Sequence, residues 1–86
     1  MPTEIEHCVR VSVRHWAGAR AAAGVEIEDY EAATVAELID QMTTRHAALG
    51  PVLQVASLLV DGSAATPDTD LTDGQLVEVL PPFAGG

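Results

Sequence analysis

Residues 34–46, TVAELIDQMTTRH, carry the firmest structural signal in this chain and constrain everything around them. Thr34 and Glu37 form a T-x-x-E capping box, in which each side chain satisfies an amide that the first helical turn leaves without a partner. Val35, Leu38, Ile39 and Met42 recur at i, i+3, i+4 and i+7, which makes a single apolar stripe. Arg45 and His46 suit the negative end of the helix dipole, and Gly50-Pro51 is the expected stop. One stripe covers one surface. In a chain of 86 residues, enough for one domain with a modest core, the opposing layer has to come from strands.

Strand signals flank the helix on both sides. CVRVSVRHW (8–16) alternates, with Val9, Val11 and Val13 on one face and Arg10, Ser12 and Arg14 on the other. AGARAAAG (17–24) is a turn or a helical turn closed by Gly24. VEIED alternates again and is expected to turn Val25 and Ile27 inward, making 8–29 two antiparallel strands around a compact loop. SLLV (57–60) is a short buried strand, followed by a hairpin-type Asp61-Gly62 turn. TPDTDLTDG is turn-rich, with a plain tight turn at Asp73-Gly74, and QLVEVL (75–80) is the last strand. The expected fold class is α+β: a mixed sheet of four to five strands with one main helix packed on one face. The first and last strands are then central parallel neighbours, residues 1–80 form the domain, and 81–86 project as a tail.

Composition narrows the function. At 48% hydrophobic the domain should fold alone, and no apolar run approaches the roughly 18 residues of a membrane span. MPTEIEHCVR lacks the basic and apolar regions of a signal peptide, and a single cysteine forms no internal disulfide, so a cytoplasmic protein is expected. Thirteen acids against four arginines and no lysine give a net charge of -9, which argues against nucleic acid as a partner. Such a surface suits a basic docking face, and it equally keeps a small protein soluble.

The tail LPPFAGG (80–86) asks for a use of its own. Pro81 and Pro82 fix φ and favour an extended, low-entropy spacer. Gly85 and Gly86 carry no Cβ, so their backbone passes through a slot that a side chain would block. The group delivered is a carboxylate, inert until activated, most simply as an acyl-adenylate made with ATP. With no P-loop or other nucleotide motif in the chain, the activating enzyme is expected to be another protein.

Three stretches give the sequence a resemblance to the ubiquitin-like (β-grasp) sulfur carriers, and within them to the small subunit of molybdopterin synthase: WAGARAAAG (16–24), TVAELIDQM (34–42) and LTDGQLVEVLPPFAGG (71–86). The third is the most specific. The departures are Ala21 where an acidic residue is common, Phe83 in place of a small aliphatic residue, and residues 1–7, an N-terminal extension before the family's usual start. The resemblance implies that a ubiquitin-activating-like adenylyltransferase adenylates Gly86 and that a sulfur donor protein converts it to a thiocarboxylate. The large catalytic subunit of the synthase would then take the tail (Pro81, Pro82, Phe83, Ala84, Gly85) into its active site. There the sulfur would build the molybdopterin dithiolene on a cyclic pyranopterin phosphate, in a heterotetramer. The chain itself would be a non-catalytic subunit and co-substrate, with no tightly bound cofactor and no metal.

Other residues offer less. Cys8 reads as a small buried or half-buried residue, and His7, His15 and His46 as surface or edge histidines at no metal-ligand spacing. No Ser-His-Asp or Cys-His arrangement is evident. Arg20 matches the family's loop arginine and pairs with an acid, contacts a partner, or is simply solvated. The uncovered sheet face is expected to expose Trp16, Leu58 and Leu80 together with Phe83, as an interface or as closure of the core ends. Alternative readings are a carrier for cysteine or thiamine biosynthesis, a ubiquitin-like modifier forming isopeptide bonds, and a non-reactive adaptor. By the family pattern, Pro81-Pro82 disfavours the thiamine type.

Overall fold

In the computed structural model, which describes residues 8–82, strand β1 (Val9–His15) buries Val11, Val13 and His15 and turns Arg10, Ser12 and Arg14 to the opposite face. It is followed by α1 (Ala17–Ala23), β2 (Ile27–Ala32), α2 (Val35–Arg45), α3 (Leu49–Val55), β3 (Ser57–Val60), β4 (Ser63–Ala64) and β5 (Leu76–Leu80). The sheet order is β2-β1-β5-β3-β4. Its central pair, β1 and β5, is parallel, with His15 opposite Val79, and the other pairings are antiparallel. This is the β-grasp arrangement expected from the sequence: a five-stranded mixed sheet with helices on one face.

The α2 cap forms as its residues dictate. Glu37 N–H donates to Thr34 Oγ1 at 3.2 Å, and Glu37 Oε1 accepts from Ala33 N–H at 2.9 Å, one residue before the cap. The stripe then packs on the sheet, with Val35, Leu38 and Met42 buried and Ile39 partly buried. The β2 edge is covered by the same helix. Gln41 donates to the Glu31 carbonyl (2.7 Å) and Arg45 to the Asp29 carbonyl (3.2 Å), occupying acceptors that an edge strand otherwise leaves open.

Four expectations need correction. Gly50-Pro51 does not end the helical region; it opens α3, because a proline in a first turn gives up an N–H that has no intrahelical partner anyway. The helices therefore number three among the described residues, α1 being a full helix closed by Gly24 in the left-handed region (φ 79°). Strand β2 has the opposite phase to that expected. Val25 and Ile27 are exposed, and Tyr30 and Ala32 are buried, with Glu28 on their face. A one-residue change of phase turns every side chain over, and the phase adopted buries the large Tyr30 ring. Leu58, finally, is a core residue and no part of the outer face.

The hairpin at Asp61-Gly62 forms with both residues at positive φ (49° and 84°), the geometry that two-residue turns prefer. The Asp73-Gly74 turn does more than reverse the chain. Asp73 Oδ1 accepts from Arg10 N–H (3.0 Å) and Gly74 N–H donates to the Arg10 carbonyl (2.8 Å), which anchors the loop before β5 to β1. No helix among the described residues is long and apolar enough to cross a membrane. The expected extension at 1–7, with His7, and the tail residues Phe83, Ala84, Gly85 and Gly86 lie outside the described residues.

Candidate functional site

Strand β5 delivers the chain to one end of the sheet, and the residues around that exit define the site. Leu80 stands opposite Ser57, and Trp16 N–H donates to the Val79 carbonyl at 3.2 Å, extending the β1–β5 ladder by one step. Pro81 is half-buried against this end and Pro82 is exposed. A proline pair directly after a fully paired strand continues it as a stiff, extended lead.

The face of the sheet away from the helices is amphipathic here. Trp16 is 40% exposed and Ile27 48% exposed, and half-buried Leu80 follows Val79 on β5. Polar groups hold the tryptophan: its indole N–H donates to Glu78 Oε2 at 3.2 Å, and the Arg14 guanidinium lies 5.7 Å from its ring centroid. Arg14 Nε is buried without a hydrogen-bond partner. A rigid aromatic ringed by polar groups beside the proline pair that follows β5 has the composition typical of a protein-docking face. Just beyond Trp16, Ala17 takes φ 49°, a left-handed conformation that costs a residue with a Cβ and is held by the start of α1.

Beneath this end lies a cluster that the sequence reading did not anticipate. The Glu28 carboxylate accepts from Tyr30 OH (2.7 Å), from Nε2 of His15 (3.0 Å) and from Nε2 of His46 (2.9 Å), with Arg45 Nη1 at 3.4 Å. Burial alone would push this carboxyl up, but the hydrogen bonds from His46, His15 and Tyr30, with the charge of His46, more than offset it and hold it at about 2. Burial and the bond to Glu28 together push the Tyr30 phenol well above its ordinary value. His15 Nδ1 is buried with no partner, so the neutral ring carries its proton on Nε2, where it bonds Glu28. Both histidines are thus committed to one carboxylate. Among the described residues, no three His, Cys, Asp or Glu groups are arranged to hold a metal ion.

Of the residues singled out from the sequence, the structure brings Trp16, Leu80, Pro81 and Pro82 together at the tail exit and leaves Leu58 in the core. Arg20 is exposed on α1, 3.8 Å from Glu26, an exposed pair of the kind that contributes little to stability. Cys8 is exposed where a buried or half-buried residue was expected, since it precedes the first ladder position of β1. His15 is buried and His46 half-buried, where surface or edge positions were expected, because the reversed phase of β2 gives both a carboxylate to bond. Ile27 was missed as an exposed residue of this face for the same reason. A glutamate two positions before a buried tyrosine was the only signal available for this cluster, as nothing in the spacing of His15 and His46 connects them.

The fold has solved counterparts. It aligns with a Pyrococcus furiosus protein assigned as molybdopterin converting factor subunit 1, at 31% identity and a TM-score of 0.79, over 87% of this chain and 99% of that one. Small archaeal modifier protein 1 of Methanosarcina acetivorans aligns at 23% identity and 0.85, over 93% and 99%. A chain of the Amycolatopsis orientalis BexX/CysO complex aligns at 25% and 0.77, over 88% and 99%. No curated protein sequence matches. The ThiS family model runs from residue 13 to residue 86, through the central parallel pair and on to the terminal glycines. On that match the chain belongs to the ThiS family and has the fold of a small ubiquitin-like sulfur carrier.

Proposed function

We propose that this chain is the sulfur-carrying small subunit of a molybdopterin synthase, with Gly86 as the residue that carries the sulfur. The observation that carries the reading is the family match together with the tail exit: β5 runs straight into Pro81-Pro82 beside the exposed Trp16. In the proposed cycle the Gly86 carboxylate attacks the α-phosphorus of ATP on a separate adenylyltransferase, giving an acyl-adenylate and releasing pyrophosphate. Sulfur at the sulfide level, presented by a donor protein, then displaces AMP and leaves a thiocarboxylate. The synthase large subunit admits the tail, and the thiocarboxylate sulfur forms a C–S bond to the pyranopterin as a C–O bond there breaks and its oxygen leaves. Water then cleaves the acyl–sulfur bond, leaving the sulfur on the pyranopterin and restoring the Gly86 carboxylate. The domain's task is to present the tail and to dock through the Trp16 face, in a cytoplasmic complex. The 31% identity to the Pyrococcus furiosus subunit 1 protein favours this pathway over the others.

The test is mass spectrometry of the purified chain after incubation with a molybdopterin-pathway adenylyltransferase, ATP and a sulfur donor. A mass gain equal to one oxygen replaced by sulfur at Gly86 is expected, and an unchanged mass counts against the reading.

A second reading is favoured by the resemblance to the CysO complex and to the archaeal modifier: the same activated glycine would serve cysteine biosynthesis or be passed to target lysines. Without a lysine the chain builds no side-chain-linked chains on itself. Covalent adducts on other proteins, absent from a Gly86 deletion, would mark the modifier.

A further inference from the structure

We propose that Glu28 is a positioning residue for the C-terminal tail, acting through His15 and the end of β1 on the last residues of β5. The proposal rests on the reading of the tail as the working part of the molecule. The route is continuous and short. Glu28 holds the His15 ring by Nε2 at 3.0 Å, and His15 is the last residue of β1 and lies opposite Val79 in the parallel register. The next residue, Trp16, donates its backbone N–H to the Val79 carbonyl and its indole N–H to Glu78. Leu80 and the two prolines follow directly. A carboxylate on β2 therefore fixes the strand that fixes the root of the tail.

The arrangement is more elaborate than a strand end needs. Glu28 takes donors from three elements: His15 on β1, Tyr30 on its own strand, and Arg45 and His46 at the end of α2. The remaining neighbours add little charge. Helix α3 carries no titratable side chain, and α1 carries only Arg20, which is exposed and faces Glu26. On β5, Glu78 bonds the Trp16 indole on the other face. A side chain bonded by Tyr30, His15, His46 and Arg45 is held in one rotamer, and the His15 ring, fully buried, makes its hydrogen bond among the described residues to Glu28 while Nδ1 is unpartnered. Loss of Glu28 removes the hydrogen-bond partner that the ring has among the described residues, leaving only its edge contact with the His46 ring.

Nuclear magnetic resonance on the full-length chain reads this directly, since Trp16 is the single tryptophan and its indole N–H is one isolated signal. In the wild type, the Trp16 indole is expected as one sharp signal and the Val79 and Leu80 amides as protected from exchange. Glu28→Gln should displace the indole signal and speed hydrogen exchange at Leu80. His15→Leu should behave the same way. His15→Gln, which keeps an N–H donor toward Glu28, should restore the indole position. Thr34→Ala, a destabilising change at the far cap of α2, is the control that should leave the indole unmoved. The pair His15→Leu and His15→Gln carries the test if Glu28→Gln fails to fold. Trp16, Val79 and Leu80 signals that stay at their wild-type positions in Glu28→Gln and His15→Leu would overturn the proposal. In pyrophosphate exchange with the adenylyltransferase, Glu28→Gln should lower kcat/KM about tenfold or more, and His15→Gln should restore most of what His15→Leu loses. Wild-type protein that is not activated at all would sink the carrier reading and leave the coupling standing. An activated wild type with an unaltered Glu28→Gln variant would sink the positioning role alone.

Discussion

His46 reaches from the end of α2 to Glu28 on β2, its Nε2 lying 2.9 Å from Oε2, and this contact ties the main helix to the edge of the sheet. His46 is also the C-cap of α2, where the helix's partial negative charge favours a cation, so the ring serves the helix end and the carboxylate together. Arg45 reinforces the seam, its guanidinium 4.0 Å from the Tyr30 ring centroid while Nη1 reaches the Asp29 carbonyl. A core that would otherwise be entirely apolar at this corner is closed by a charged network.

Acid should find this network first. In the unfolded chain Glu28 takes up a proton as pH falls past about 4.5, whereas the folded carboxyl holds out to about 2, so its contribution is present above 4.5 and drains away between those values. The contribution at neutral pH is of order 2 kcal/mol, given the partial exposure of the group. Glu28→Gln should therefore lower stability by about that amount at pH 7 and flatten the stability profile below pH 4.5. Urea titrations from pH 7 to pH 2.5 measure both.

The helix offers two graded tests of its packing. Leu38 is 0% exposed, so Leu38→Ala should cost about 2–4 kcal/mol through lost burial and the cavity left behind. Thr34→Ala should cost about 1 kcal/mol, because it removes the acceptor for the Glu37 amide and leaves the apolar stripe intact. A Leu38 effect below about 0.5 kcal/mol would mean that the stripe does not face the core.

Covering the β2 edge has a measurable purpose. With Gln41→Ala and Arg45→Ala combined, the Glu31 and Asp29 carbonyls lose their side-chain donors and the edge becomes free to pair with another strand. The double variant should show concentration-dependent self-association by analytical ultracentrifugation where the wild type shows less. Equal association in both would place the protective effect elsewhere.

The capping box, the α2 stripe and the alternation of β1 were legible because each is a local pattern with one physical solution. The exit of the chain at the sheet end was legible too, as soon as β1 and β5 were expected to be central and parallel. Strand β2 was not. VEIED (25–29) and EDYEA (28–32) overlap at Glu28 and Asp29 and read in opposite phase, and the choice turns on Tyr30 and on partners for Glu28 that are 13 and 18 residues away in sequence. Pro51 misled for a different reason: a proline that stops one helix and a proline in the first turn of the next look alike until the break before it is placed. The cluster at the end of β1 joins β1, β2 and α2, so no window of sequence contains it.

The tail itself gives the sharpest prediction, that it works by reach and slimness. The last strand ends at Leu80, and the core residues of β5 are Val77 and Val79, so deleting Gly86 should leave the melting temperature nearly unchanged. The same deletion should abolish thiocarboxylate formation, because the new end falls about 3.5 Å short of the activating chemistry, and positioning errors well below that are already costly. Gly85→Val and Gly86→Val should fail in another way. They keep the reach but send a β-branched side chain into a passage sized for backbone, so docking through the Trp16 face should persist while adenylation collapses. Three measurements separate the cases: thermal melting, binding to the synthase large subunit, and ATP-dependent mass gain. A Gly86 deletion that is thiocarboxylated as readily as the wild type would end the carrier assignment.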